Sequence, residues 1–385
     1  MTTSEDRPST LDPRAGDAER EARTTQIERR KREHVELAAG EELPSGGRAG
    51  FDDVQLVHEA LPEAAPEHID TSVELLGKRL RLPLVIAAMT GGFAGGETIN
   101  TTLARAAERH GLAMGVGSQR AALIEPALAR TYAAAREAAP TALLIANIGV
   151  AQLVPQADRP AVEPAEIEAL IAMIRADALA IHLNAVQELV QPEGQPDARG
   201  WLAAIEAVAG RVSVPVIAKE TGAGVSATTA VRLRGAGVAV LDVGGRGGTS
   251  FAAIEAARAR QTHDSRGVLL GELLASWGIP TLVSVALASG SGLPVIATGG
   301  VRTGLDAAKA IAMGATAVGV ARPLLQAALA GDAAVDEWIE RFASGLVAAM
   351  YLTGSRDVPS LRRAARVVTG EAREWIRQLE EDANG

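Results

Sequence analysis

The 385-residue chain contains no cysteine. That excludes disulfides, a thiolate nucleophile and any cysteine-ligated zinc or iron–sulfur centre. Aromatic residues make up only 3%, so a large core must be filled by aliphatic side chains. No uninterrupted apolar run reaches the ~18 residues of a membrane span, and the N-terminus has no apolar segment of the signal-peptide kind. A net charge of −9 argues against general nucleic-acid binding, which needs a basic face. The expectation is a soluble, cytoplasmic protein with neither a nucleic-acid nor a membrane partner. Any anionic ligand would need a local basic pocket.

What the chain does have is 47% apolar residues and 40 glycines, too many glycines for a helical bundle but suited to repeated strand-to-helix turns. Residues 1–24 are polar and charged and read as a disordered tail. The amphipathic stretch "TQIERRKREHVELA" follows, and one domain is expected over 25–385. From residue 82 short apolar runs alternate with Ala-rich helical patterns. "LPLVIAAMTGG", "VPVIAKETGAG" and "LPVIATGGVRTG" share one form, in which a proline precedes a β-favouring run with a glycine-rich exit. Strands are expected at about 82–88, 112–116, 141–147, 178–184, 213–219, 238–243, 294–298 and 316–320. Continuously apolar strands alternating with helices indicate a parallel sheet covered on both faces. Eight such units predict an α/β fold of the (β/α)8 (TIM) barrel class, with its site at the C-terminal ends of the strands. A doubly wound open sheet is the alternative, weakened because no G-x-G-x-x-G follows the first strand. The long excursion at 244–279 leaves from the same end and is expected to serve as a lid or interface.

Nearly every expected strand stops on polar residues or glycine. These ends carry Met89, Thr90, Gly91 and Gly92; Ser118, Gln119 and Arg120; Asn147; His182, Asn184, Gln187 and Glu188; Lys219; Gly244 to Thr249; Gly299 to Arg302; and Ala321 with Arg322. In a barrel they converge on one mouth. "IATGGVRTGLDAAKAIAMGATAVGVARPLL" supplies strand seven, a Gly-Gly turn, a helix start, strand eight and a further helix start. Bare N–H groups at a helix start, with glycines that admit close approach, suit a phosphate. Lys219 ends an apolar run and is expected to point into the mouth, to form a Schiff base or to sit beside a flavin ring. "GGRGGTS" has the character of an anion-binding nest. "RRKREH", residues 29–34, reads by its spacing as a solvated charge run. His58, His68, His110 and His263 read as surface or structural.

Taken in order, "RKREHVELA", "MTGG", "GVGSQR", "NIG", "HLNAVQE", "VIAKETGAGVS", "GGRGGTSF", "WGIPT" and "ATGGVRTGLDAAKAIAMGA" resemble the type II isopentenyl diphosphate isomerases, FMN-dependent (β/α)8 enzymes. The resemblance covers about residues 25–370, and "HLNAVQE" and "RKREH" carry most of its specificity. It implies FMN contacts at Ala88, Met89, Thr90, Ser118, Asn147, Lys219, Thr249, Gly300, Val301, Arg302, Ala321 and Arg322. It implies that the substrate diphosphate meets Arg30, Lys31, Ser118, Gln119 and Arg120, that Gln187 lies near the isoprene unit, and that Glu188 helps to hold Mg2+. His182 and Asn184 join Gln187 as positioning groups. The charge run then becomes part of the site.

The implied reaction converts isopentenyl to dimethylallyl diphosphate. It uses reduced FMN as acid and base, NADPH to prime the flavin, and Mg2+ on the diphosphate, without net redox change, in a homotetramer or octamer. The alternative is an FMN oxidoreductase of the hydroxy-acid oxidase type. That type places a catalytic histidine near strand seven, where "VIATGGVRTG" has none. An inosine monophosphate dehydrogenase-like barrel would need the absent cysteine. A non-enzymatic phosphate-binding barrel would leave Gln187 and Glu188 without a task.

Overall fold

The computed structural model describes residues 28–40, 46–157 and 159–384; the tail expected at 1–24 lies outside them. Eight parallel strands close into a barrel. They are β1 (Leu84–Ile86), β2 (Ala113–Gly115), β3 (Leu143–Gly149), β4 (Ala178–Leu183), β5 (Val216–Glu220), β6 (Val240–Asp242), β7 (Val295–Thr298) and β8 (Ala317–Val320). β8 pairs with β1 to complete the ring. Each expected strand is present, with ends shifted by at most three residues, and the open-sheet alternative is excluded by closure.

The proline before a strand has a specific use here. Pro83, Pro215 and Pro294 precede β1, β5 and β7 and have no N–H to leave unpaired. Their carbonyls accept from Val318, Leu179 and Leu241 on neighbouring strands at 2.8–3.0 Å. The barrel interior is aliphatic, as the composition requires. Val85, Leu143, Ile145, Ile217, Val240 and Ile296 form one buried cluster. Its lower end is closed by Leu75 and Leu80 from a hairpin of Val73–Leu75 and Lys78–Leu80. That plug has no counterpart among the expected elements, because three-residue strands carry too little periodicity to read.

Five helices position the mouth. α1 covers 28–39. α2 (Ala185–Val190) follows β4 directly, and α3 (Phe251–Gln261) lies in the excursion after β6 with a second helix, Ser265–Leu273. α4 (Gly304–Ala312) follows β7 and α5 (Arg322–Ala330) follows β8. Arg30, Lys31, His34, Val35 and Ala38 of α1 recur at helical spacing and all line the cavity at the barrel mouth. The solvated reading of this charge run is thereby corrected: α1 is a cover.

Candidate active site

The cavity at the C-terminal ends of the strands encloses about 750 Å³, in the upper part of the ~300–1,000 Å³ usual for small-molecule sites. Every residue implied by the resemblance lines it except Thr90 and Gln119.

The side chains of those two are engaged within the protein. Gln119 is fully buried; its Nε2 donates to the Leu170 carbonyl at 2.9 Å and its Oε1 accepts the Asn147 N–H at 3.0 Å. Its side chain braces β3. Thr90 is buried with its Oγ1 on Asn100 at 2.5 Å, and its carbonyl accepts the Gly117 N–H at 2.7 Å. It ties two strand exits together. Adjacent loop residues leave the chain in different directions, so neighbours within one motif differ in whether their side chains line the cavity.

The floor comes from strand register. On neighbouring strands Gly149 pairs with His182, His182 with Lys219, and Lys219 with Asp242. Side chains at one height of a parallel barrel face the same side. His182 Nδ1 lies 2.8 Å from Asn147 Oδ1, and Asn147 Nδ2 donates to the Val116 carbonyl at 3.0 Å. The amide orientation therefore makes Nδ1 the donor and leaves Nε2 without a proton. Burial, with the Lys219 and Lys31 charges added, lowers the His182 pKa to about 3. It is a neutral imidazole at ordinary pH. A Cβ on Gly149 would sit 2.7 Å from His182 Nε2, so glycine is what lets the ring pack there. Lys219 Nζ donates to the Glu220 carbonyl at 2.9 Å. The Glu220 carboxylate turns the other way and accepts the Gly222, Ala223 and Gly224 amides at 2.5–3.1 Å. Burial raises its pKa to about 7.

Two corners of the cavity carry groups that an anion could use. In the first, Lys31 Nζ donates to the Ser118 carbonyl at 2.7 Å and approaches Tyr132 Oη at 3.3 Å. Burial and the neighbouring Arg30 charge bring the Lys31 pKa down to about 7. Arg120 donates to Gln195 Oε1 at 3.0 Å. Gln195 in turn gives its N–H to Glu188 Oε2 at 2.6 Å. In the second corner, Gly299 and Gly300 have φ of 119° and 72°. A Cβ at either would lie 2.2 or 2.6 Å from the Gly245 or Gly247 carbonyl, so this turn requires glycine. The Arg302 and Thr303 amides are already taken by Asp306 at 3.0 and 2.9 Å. A phosphate seated here would use the glycine side of the turn and the start of α5 at Ala321 and Arg322, both of which border the cavity.

Glu188 is buried, with Oε1 accepting Asn184 Nδ2 at 2.9 Å and Oε2 accepting Gln191 Nε2 at 2.9 Å. Asn184 Oδ1 is buried without a partner. A carboxylate held by neutral donors beside a free carbonyl oxygen fits a hard cation. Among the described residues no three His, Asp or Glu side chains group as a metal cage. A magnesium ion here would take its remaining ligands from substrate phosphate and water.

Residue-by-residue reading missed the strap across the rim. His34 Nε2 lies 2.9 Å from Glu255 Oε1, Gln187 Nε2 reaches the same oxygen at 3.3 Å, and Arg258 donates to Glu255 Oε2 at 2.5 Å. Arg258 also pairs with Glu33 and Glu193 at 3.1 Å, and Glu193 lies 3.7 Å from Arg30. Burial opposes ionisation of Glu255, but the His34 bond and the Arg258 guanidinium bring its pKa down to about 2. Burial depresses His34, which donates as a neutral ring. Glu255 lies mid-helix among alanines, 68 residues from Gln187; no local signal marks it.

A family profile described as FMN-dependent dehydrogenase matches residues 24–368. The isopentenyl-diphosphate delta-isomerase of Methanoregula boonei is 48% identical, with 90% of this chain and 95% of that protein covered. The enzyme of the same name from Methanothermobacter thermautotrophicus is 46% identical over 91% and 96%, and that from Archaeoglobus fulgidus 46% over 90% and 98%. Among solved structures, a mandelate oxidase variant with a monooxide FMN adduct superposes with a TM-score of 0.57 at 18% identity, covering 86% and 95%. That likeness carries the fold alone. Relatedness at this level over nearly the whole chain leaves one conclusion: the chain belongs to the FMN-dependent dehydrogenase family and, within it, to the isopentenyl-diphosphate delta-isomerases.

Proposed function

We propose that the protein interconverts isopentenyl and dimethylallyl diphosphate with no net redox change, using FMN in its reduced form and Mg2+ on the diphosphate. The observation that carries this reading is the pairing, in one cavity, of two separate anion-accepting corners with a floor whose histidine stays unprotonated. The glycine turn after β7 and the start of α5 suit the FMN phosphate. The corner of Arg30, Lys31, Ser118 and Arg120 suits the substrate diphosphate.

Isomerisation requires a proton on an unactivated alkene carbon and removal of another from the neighbouring carbon. With a pKa near 3, His182 is not an imidazolium at neutral pH, and carboxamides are far too weakly acidic for the task. Reduced FMN, when bound, supplies that acid–base chemistry. The chain's own residues orient and neutralise. Gln187, held between Asn184 and Glu255 at 3.3 Å each, fixes the hydrocarbon. Lys219 presents a cation where the flavin ring would lie. Glu188 and the free Asn184 Oδ1 receive the cation that bridges to the diphosphate. α1 covers the mouth and excludes water. NADPH would serve only to keep the flavin reduced. Homo-oligomerisation in the cytoplasm completes the reading, supported by the exposed Leu269, Leu273 and Trp277 at four-residue spacing. No helix among the described residues is long and apolar enough to cross a membrane.

The test is turnover in heavy water with isopentenyl diphosphate, Mg2+ and FMN reduced by NADPH. The new methyl group should carry deuterium, with many turnovers per NADPH oxidised. Consumption of one NADPH per product would make the protein a reductase and sink the reading.

A further inference from the structure

The register that places Lys219 beside His182 on one side places it beside Asp242 on the other. Lys219 Nζ lies 3.8 Å from Asp242 Oδ2, while Asp242 itself is buried, 5% exposed, and accepts the Gly244 N–H at 3.3 Å. An ionised carboxylate in such a place needs a cation, because an unpaired buried charge is strongly disfavoured. The other charged or titratable neighbours at this height do not compete for the ammonium. Glu220 spends its carboxylate on three backbone amides of its own loop, and His182 is neutral. Lys219 is therefore held from two sides, by the Glu220 carbonyl at 2.9 Å and by the Asp242 carboxylate. Asp242 does not itself line the cavity and reaches it only through Lys219, which does.

We propose that Asp242 is a positioning residue for Lys219, holding the ammonium on the cavity floor and offsetting part of its charge so as to set how easily the flavin is reduced. This rests on the reading that FMN binds with its ring over Lys219. A cation beside the ring favours the anionic reduced form, and a carboxylate paired to that cation weakens the effect. Burial holds the Asp242 pKa above the usual carboxylate range, in keeping with a carboxylate whose ionisation depends on its lysine.

The experiment measures the midpoint potential of FMN bound to the full-length protein, by anaerobic equilibration with reference dyes. The proteins compared are wild type, Asp242→Asn, Lys219→Met and the double variant, with flavin stoichiometry recorded first. Asp242→Asn should make the flavin easier to reduce, by about tenfold in the ratio of reduced to oxidised form, or ~30 mV for a two-electron couple. Lys219→Met should make it harder to reduce, and adding Asp242→Asn to it should change little. An unchanged potential in Asp242→Asn overturns the inference. So does a full shift in the double variant, which would show Asp242 acting by its own field. If Asp242→Asn does not fold, Asp242→Ser removes the same charge from a smaller side chain. A folded wild type that takes up no FMN would refute the flavin reading, and this inference with it.

Discussion

The floor of the cavity and its rim both consist of charged and polar side chains, yet different forces hold them. On the floor, His182, Lys219 and Asp242 occupy one height because three neighbouring strands are locked in register by backbone hydrogen bonds. Moving any of them means breaking the barrel. The rim depends on α1, which lies outside the barrel and is tied down by side chains. Its ties include Glu33 to Arg258, Arg30 to Glu193, His34 to Glu255, and Lys31 to the Ser118 carbonyl. Partly exposed ion pairs contribute ~0–1 kcal/mol each and are screened over ~10 Å at 0.1 M salt. None of these contacts belongs to the hydrogen-bonded ring of strands that closes the barrel. A floor fixed by strand register suits chemistry that depends on fixed geometry.

The sharpest way to break this comparison is at Glu188, buried like the floor yet reaching toward the ligand side. Glu188→Gln should lower kcat by roughly 10²-fold and blunt the response to Mg2+, because a neutral amide is a poor ligand for a hard cation. FMN stoichiometry, read from the flavin absorbance, should stay at the wild-type value. Loss of flavin with an intact Mg2+ response would place this residue with the cofactor instead.

A smaller effect is expected at the rim. Exchanging Arg30 and Lys31 together for alanine should raise KM for the diphosphate at least tenfold, since one charge-assisted contact of ~1.5 kcal/mol corresponds to about that factor. Thermal melting should barely change, because neither residue belongs to the barrel core. Steady-state kinetics giving a wild-type KM would return α1 to the status of a solvated helix.

Smallest is a pH effect confined to the rim. With a pKa near 7, Lys31 would attract a diphosphate while protonated and lose that attraction as pH rises through this value. In the wild type kcat/KM should fall several-fold between about pH 6.5 and 8.5, and Lys31→Arg should flatten the profile because a guanidinium keeps its charge. For folding the sign is reversed. The unfolded chain binds the lysine proton more tightly, so this group makes the empty protein more stable as pH climbs from about 7 toward the ordinary lysine value. Identical pH profiles for the two proteins would remove Lys31 from substrate binding.

Much of the site could be read because it sits where apolar runs end. His182 and Lys219 interrupt strands that are otherwise aliphatic, Asn184 follows the first of these directly, and the glycines after β7 signal a turn that only they can make. The strap was not readable. His34 and Glu255 are 221 residues apart, and Arg258 lies in an Ala-rich helix of ordinary composition. Gln119 and Thr90 stand inside informative motifs, yet their side chains point into the protein, because which way a loop residue faces depends on what packs against it. Asp242 ends an unremarkable "VAVLD" run and acquires meaning only from the lysine that register sets beside it.

By itself, then, the sequence determined the barrel and its polar end. Strand period, proline at strand entry and glycine at strand exit are local properties, and eight repetitions of them admit few arrangements. The pairing of partners was left to the tertiary structure. Parallel-strand register decided that Lys219 faces both His182 and Asp242, and the packing of α1 on α3 decided that a basic run covers a cavity. Those contacts join residues far apart in the chain, and their energies exist only once the barrel has brought them within reach.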